Sequence, residues 1–288
     1  LLDTVSDVTK PVYFNREGHP VLLSGALVDK IIKYKGNGGL KTAIDLYAED
    51  IKLIAVEDEG ILLDADTKEE YKEKLDKYQK KLTQLQIEMF KAQIPVVIGF
   101  EGWDAAGKGG AIRRLTAALD PLGFHVHPIA APNVVEKQFH YQWRFWTRLP
   151  QPGTIAIFDR TWYGRVMVER IEGFAKPQEW QRAYDEIKDM EAQWSEHGIA
   201  IAKFWLQIDK EEQLRRFNDR QNDPNKQWKI TDEDWRNRDK WDDYLEAAAD
   251  MFERTSTDYA PWHVIATDDK NTARIEVLKA ILKQLKAD

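Results

Sequence analysis

At 288 residues, with 43% hydrophobic and 32% charged side chains, the chain has the make-up of a globular core with room for a small second unit. It has no cysteine, which excludes disulfides and thiolate metal sites, and no apolar run approaches a membrane span, so a cytoplasmic location and no membrane partner are expected. A net charge of −7 argues against a dedicated nucleic-acid binder, which needs a basic surface.

Residues 1–66 hold turn residues in GHPVLLSG (18–25) and YKGNGGLK (34–41) but no repeat, and are read as an N-terminal extension without an assigned structure. From Thr67 to Gln93, Leu75, Tyr78, Leu82, Leu85, Ile87 and Phe90 recur at roughly helical spacing among Lys and Glu, which predicts an amphipathic helix leading into a domain over 67–288. Short apolar runs then alternate with helical patterns. IPVVIGF (94–100), FHVHPIA (124–130), TIAIFD (154–159), IAIAKFWLQID (199–209) and WHVIATD (262–268) read as buried strands. Helices are predicted at 110–119, 136–147, 177–197, 210–221 and 232–254. This order predicts an α/β fold with a mainly parallel five-stranded sheet, helices on both faces, and a ligand site beyond the strands' carboxyl ends.

The stretch GFEGWDAAGKGG (99–110) leaves the first of these strands and enters a helix. It follows the phosphate-loop pattern G-x-x-x-x-G-K with Gly102, Gly107 and Lys108, but Gly109, followed by Gly110, stands where a Ser or Thr normally ligates Mg²⁺. Such glycines let backbone amides turn toward a phosphate, and the helix start adds its positive end. Lys108 supplies a cation for the transferring group. TIAIFD ends in Asp159, as a Walker B strand does. Asp104 lies inside the loop, where phosphates would repel a carboxylate unless a metal stood between them. One reading therefore gives Mg²⁺ to Asp104 and Asp159 together; the other has Asp104 capping the loop's own amides.

Residues 101–170 hold nine Lys or Arg, Arg113 and Arg165 among them, against six acids, a local +3 in an acidic chain. Arg160 and Arg165 follow Asp159 closely, and guanidinium groups suit phosphate oxygens. Trp162 and Tyr163 between them have two readings, stacking on a base or packing. Residues 214–241 place Arg215, Arg216, Arg220, Lys226, Lys229, Arg236 and Arg238 around the turn Asp223-Pro224-Asn225. That pattern suits either a lid closing over phosphates or an exposed hairpin laced with ion pairs. His125 and His127 share a strand face, which permits a metal pair, but no third ligand is evident. Trp143, Trp146 and Trp205 read as core.

Glu101-Gly102-Trp103-Asp104-Ala105-Ala106-Gly107-Lys108-Gly109-Gly110 resembles the Walker A segment of the type-2 polyphosphate kinases, in which an Asp is present and the Ser or Thr is not. Asp159-Arg160-Thr161-Trp162-Tyr163-Gly164-Arg165 is similar to the family's D-R-S-W-Y-x-R. Arg220, Asp223-Pro224, Lys226, Trp228-Lys229 and Asp234 resemble its lid, and the resemblance covers roughly residues 70–285. It implies a P-loop kinase-like three-layer α/β/α fold with a helical lid, moving phosphate between inorganic polyphosphate and a nucleotide.

On that basis Asp104 and Asp159 are expected to carry Mg²⁺, and Asp104, Lys108, Asp159 and Arg160 to be catalytic. Gly102, Gly107, Gly109, Gly110, Arg113 and Arg165 are expected at the phosphates, closed over by Arg220, Lys226 and Lys229. Glu169 and Asp234 are expected on the nucleotide side. Trp103 looks like the AMP-phosphorylating subgroup, where ADP users often carry Arg, so AMP to ADP is the expected reaction and a homo-oligomer the expected state. Members of that subgroup often hold two fused copies of the domain; this chain is expected to match the second, with 1–66 from the junction. The alternatives are a polyphosphate-dependent ADP to ATP kinase (or its reverse), an ATP-dependent small-metabolite kinase, and a non-catalytic nucleotide binder.

Overall fold

A computed structural model describes residues 6–13, 16–17, 22–31, 42, 44, 46–56 and 68–285. The turn stretch 34–41, residues 18–21 of the earlier one, and the expected boundary at 66/67 lie outside the described residues. The chain divides into two compact units, Leu1–Tyr71 and Lys72–Asp288.

In the first unit, strand β1 (Val8–Tyr13) pairs antiparallel with β2 (Arg16–Glu17) and β3 (Leu22–Leu23), and parallel with β4 (Ile51–Ala55). Helix α1 (Gly25–Ile31) starts after Ser24, whose hydroxyl accepts the Leu27 amide at 3.2 Å and donates to Asp7 at 3.1 Å. Ser24 thus satisfies one of the amides that a helix start leaves open.

The second unit is entered through the long helix α2 (Lys68–Ala92). Its apolar stripe runs through Leu82, Leu85 and Met89, all buried, with Leu75 and Tyr78 half-buried against the core. Ile87 and Phe90, expected on that stripe, are instead 44% and 60% exposed. Helical periodicity explains the correction, because residues 82, 85 and 89 follow i, i+3, i+7 and Ile87 falls off that face.

Five parallel strands follow, β5 (Val96–Gly102), β6 (Phe124–Pro128), β7 (Ile155–Asp159), β8 (Ala200–Gln207) and β9 (Trp262–Ala266), in the order β6-β7-β5-β8-β9. Between them run α3 (Lys108–Thr116), α4 (Trp143–Trp146), α5 (Val168–Ile171), α6 (Pro177–Glu196), α7 (Lys210–Asn222), α8 (Asp232–Asp239) and α9 (Trp241–Thr255), with α10 (Lys270–Leu285) last. The period-2 alternation of β8 sorts the layers. Lys203 and Trp205 reach Glu191 of α6 and Phe252 of α9, whereas Phe204 stacks on His263, which contacts Gln284 of α10. Helices therefore cover both faces, and the fold is three-layer α/β/α.

Two expected helices are broken. Asn133 Oδ1 accepts the amides of Val135 and Glu136, both at 2.9 Å, so 136–147 begins as the 3₁₀ turn Glu136–Gln138 and resumes only at α4. The long pattern 232–254 divides at Lys240, whose ammonium reaches Glu172 at 2.8 Å between α8 and α9. Residues 214–241 form the end of α7, the turn Gln227–Lys229 and α8.

Candidate active site

The order of strands brings the two motifs together. β7 lies directly beside β5, with Phe100 opposite Asp159, so the loop after β5 and the turn after β7 open side by side at the carboxyl edge. Gly102, at the end of β5, has φ 136, and a Cβ there would stand 2.4 Å from the Leu206 carbonyl oxygen of β8. Only glycine fits that approach. Gly107 (φ 110) turns the loop into α3, whose positive N-terminal end faces the same edge. Lys108, the first residue of α3, folds back over the loop: its ammonium donates to the carbonyls of Gly102 at 2.5 Å and Trp103 at 3.1 Å. Burial lowers the Lys108 pKa, and Asp104 is the strongest influence restoring its charge.

Arg160 sits at φ 65 with its amide bonded to the Phe100 carbonyl at 3.0 Å. The next residue, Thr161, is clamped by the buried Glu101 carboxylate. From this turn the Arg160 guanidinium meets Asp104 Oδ1 at 3.3 Å. Burial opposes its charge, yet Asp104, Glu101, Glu233 and Asp159 together raise its pKa. Asp104 and Asp159 thus act on the same two cations, Lys108 and Arg160. Carboxylates are the hard oxygen donors that Mg²⁺ takes, so these two side chains could hold it with water and phosphate oxygens in the other positions. Among the described residues no group of three or more His, Cys, Asp or Glu forms a ready-made metal cage.

Two cavities adjoin the loop. The smaller, about 70 Å³, is lined by Glu101, Trp103, Asp104, Arg160, Asn237 and Tyr244 among others. Trp103 is held there by a flat stack on Trp241, ring centroids 3.7 Å apart at 9°, and by its indole N–H on Gln207 at 2.9 Å. The larger, about 320 Å³, is lined by Ala105 to Gly107, Gly110 and six cationic side chains, Arg216, Arg220, Lys226, Lys229, Lys270 and Arg274, with Asp219 the one acid. Arg216 is buried and donates to the Ala105 carbonyl at 3.0 Å, so α7 braces the loop from outside.

The expected residues divide accordingly. Asp104 and Arg160 line the smaller cavity, Lys108 and Asp159 line neither but act electrostatically with them, and Gly110, Arg220, Lys226 and Lys229 line the larger cavity. Gly109 is exposed at the start of α3, and Arg113 stands on that helix's exposed face, lining neither cavity. Arg165 lies over the Tyr141 ring at 4.4 Å and pairs with Glu169 at 3.0 Å; burial raises the Glu169 pKa, and neither residue lines a cavity. Asp234 accepts the amide and hydroxyl of Thr231 at 2.8 and 3.0 Å as the capping box of α8.

Of the two readings of Trp162 and Tyr163, packing holds: both are buried and donate to the buried Glu191 at 2.9 and 2.8 Å, out of a base's reach. His127 lies against Phe158, centroids 5.1 Å apart, and the His125–His127 pair gains no third ligand among the described residues. Trp205 is core, Trp143 stacks on Phe139, and Trp146 is 39% exposed rather than core. Sequence reading missed the role of Glu101, although it opens the phosphate-loop run, and missed Gln213, Asn237, Tyr244, Lys270 and Arg274, which carry no motif signal.

The sequence profile of the polyphosphate kinase 2 family matches residues 65–288. A protein of Acinetobacter johnsonii named polyphosphate:AMP phosphotransferase is 63% identical over 193 residues, which is 67% of this chain and 40% of that protein. One of the same name from Pseudomonas aeruginosa is 53% identical over 230 residues, 80% of this chain and 46% of that one. The chain thus spans less than half the length of these relatives. The crystal structure of a polyphosphate kinase 2 from Arthrobacter aurescens superposes with a TM-score of 0.73 at 35% identity, covering 76% of this chain and 80% of that one. A glycine-rich loop bearing Asp104 beside a strand ending in Asp159, on a fold shared with that kinase and under a profile spanning most of the sequence, leads to one assignment: the chain belongs to the polyphosphate kinase 2 family.

Proposed function

We propose that this chain transfers the terminal phosphate of inorganic polyphosphate to AMP, giving ADP, with Mg²⁺ held by Asp104 and Asp159. The observation that carries the reading is that one loop borders two unlike cavities, six cations on one side and the Asp104–Arg160 pair on the other. A cavity with so many cations and one acid suits a long polyanion that offers charge and no base. The names of the two phosphotransferase relatives support AMP as acceptor, and Trp103 supports the same subgroup.

In the transfer, the bond from the terminal phosphorus to its bridging oxygen breaks, and an AMP phosphate oxygen forms the new P–O bond. Lys108 exchanges its two loop carbonyls for phosphate oxygens of the terminal unit, and Arg160 neutralises the acceptor phosphate. That phosphate is already anionic, so no strong general base is required; repulsion between two anions is the larger barrier, and the cations lower it. Asp104 and Asp159 would hold Mg²⁺, which would supply further neutralisation of phosphate charge. Gly102, Gly107, Gly109 and Gly110 shape the loop, and Arg220, Lys226 and Lys229 close the lid over the chain of phosphates. Arg113, Arg165, Glu169 and Asp234, expected at the phosphates or the nucleotide, line neither cavity and take no direct part in the transfer. A cytoplasmic location accords with the cysteine-free sequence, and light scattering checks the homo-oligomer.

The test omits ATP. Protein, Mg²⁺ and long-chain polyphosphate are offered AMP or ADP, and products are separated chromatographically. ADP from AMP is expected. ATP formed only from ADP would replace the acceptor, and activity restored only by ATP with a small metabolite would overturn the polyphosphate donor.

A further inference from the structure

We infer that Asn237 and Gln213 are positioning residues that fix Asp104 from the lid and the helix leading into it, so that the placement of its carboxylate depends on where the lid stands. The inference rests on the proposed role of Asp104 in holding Mg²⁺, and it assigns to the lid a task beyond covering phosphates.

Two side-chain amides, one from α8 and one from α7 just before the lid segment, converge on this one residue. Asn237 of α8 donates from Nδ2 to Asp104 Oδ2 at 2.9 Å. Gln213 of α7 donates from Nε2 to the Asp104 backbone carbonyl at 3.0 Å. Each amide is itself held at its far end: the Tyr244 hydroxyl donates to Asn237 Oδ1 at 3.3 Å, and Arg238 donates to Gln213 Oε1 at 3.2 Å. An amide has a donor end and an acceptor end, so an outer donor on the oxygen compels the NH₂ to face inward. Arg238, which can only donate, fixes Gln213 this way, and at Asn237 the Asp104 carboxylate, which only accepts, selects the NH₂ end while Tyr244 holds the oxygen. The other carboxylate oxygen faces Arg160 at 3.3 Å, so each oxygen has a separate partner.

A neutral donor on one oxygen leaves the carboxylate charged while limiting its rotation, the service that outer hydrogen bonds perform for metal-binding side chains. A merely structural role would have the same amides staple the lid without touching ligand affinity.

Mn²⁺ is the probe, read by electron paramagnetic resonance on the nucleotide-free protein. Asn237→Ala is expected to weaken Mn²⁺ binding by about 10-fold or more. It should also lower kcat while the KM for polyphosphate stays put. Tyr244→Phe, which deletes one hydroxyl and leaves the packing, is expected to move both readouts the same way and carries the test if Asn237→Ala folds poorly. In an Asp104→Asn background, Asn237→Ala should add nothing further. Wild-type Mn²⁺ affinity in both Asn237→Ala and Tyr244→Phe, with Asp104→Asn impaired, would overturn the inference and leave the metal assignment standing. Undiminished binding in Asp104→Asn, or none in the wild type, would overturn the metal assignment and the inference with it.

Discussion

A single carboxylate oxygen of Glu101 accepts both the backbone amide of Thr161, at 2.7 Å, and its side-chain hydroxyl, at 2.8 Å. The contact joins the end of β5 to the turn after β7, one residue beyond Arg160. Thr161 in turn accepts the Tyr163 amide at 3.2 Å, starting the 3₁₀ turn Trp162–Arg165. Arg160, at an unfavourable positive φ, is thus pinned by the Phe100 carbonyl before it and by Glu101 after it.

Glu101→Ala leaves a buried amide and hydroxyl without an acceptor, which costs about 1–3 kcal/mol. The expected outcome is a lower urea midpoint together with slower transfer, because Arg160 loses its aim at Asp104. Glu101→Gln keeps an oxygen for both donors and should lie near wild type on both measures. An Ala variant with unchanged unfolding and unchanged rate would refute the clamp.

Asp159→Asn changes charge and little else at the end of a strand buried along its length. Transfer should fall by about 10²–10³ or more, the scale seen when a group stabilising transition-state charge is removed. Circular dichroism and the unfolding midpoint should stay at wild-type values. A folded Asp159→Asn protein with full activity would remove this residue from the metal site.

Lys270 and Arg274 extend the cationic lining of the larger cavity onto α10, opposite Lys226 and Lys229 of the lid segment. A charge-assisted hydrogen bond to phosphate is worth about 1.5–3 kcal/mol. Lys270→Ala and Arg274→Ala should therefore each raise the KM for long polyphosphate by about 10-fold, leaving the KM for AMP in place. An equal rise in both would mean that the cavity does not separate donor from acceptor.

What could be read from sequence was whatever lay contiguous. The phosphate loop, TIAIFDR and the alternation of strands with helices each carry their signal within ten or so residues, and β5 and β7 do lie adjacent with their motifs at one edge. Residues that act across the fold left no such trace. Glu101 meets Thr161, and Asn237 meets Asp104, only because parallel strands and the packing of α8 bring distant segments together. The lid shows the limit clearly. Asp234 drew attention by its place in a family-like pattern, yet its carboxylate caps α8, and one turn further on Asn237 makes the contact with the loop. The breaks at Asn133 and Lys240 were likewise hidden, since each depends on side chains reaching the backbone or a distant carboxylate.

Glu212 gives the start of α7 a pH dependence. Arg215 and Arg216 grip its carboxylate, at 2.6 and 2.7 Å, and hold its pKa down to about 2 against an ordinary 4.5. A carboxyl lowered on folding contributes stability that is complete above its unfolded pKa and lost as pH falls through its folded one. Between about pH 4.5 and 2 the wild-type protein should lose stability more steeply than Glu212→Gln. Urea titrations across that window check the slopes, and parallel slopes would show that the guanidinium pair does not hold Glu212.

Beneath the Walker B turn lies an ion pair wholly inside the protein. Lys203 and Glu191 are 1% and 0% exposed, 2.7 Å apart, with Trp162 and Tyr163 also donating to Glu191. Burial pushes Glu191 up and Lys203 down, while their mutual attraction opposes both shifts. Desolvation makes such a pair a weak source of stability, but removing one partner strands a buried charge and costs about 3–5 kcal/mol. Glu191→Gln and Lys203→Met should each lower the unfolding free energy by that order. The double variant should recover most of the loss, since the glutamine oxygen still accepts from Trp162 and Tyr163 and no charge is left unpaired. Additive losses in the double-mutant cycle would show that the two residues contribute separately and that the turn carrying Arg160 does not depend on their pairing.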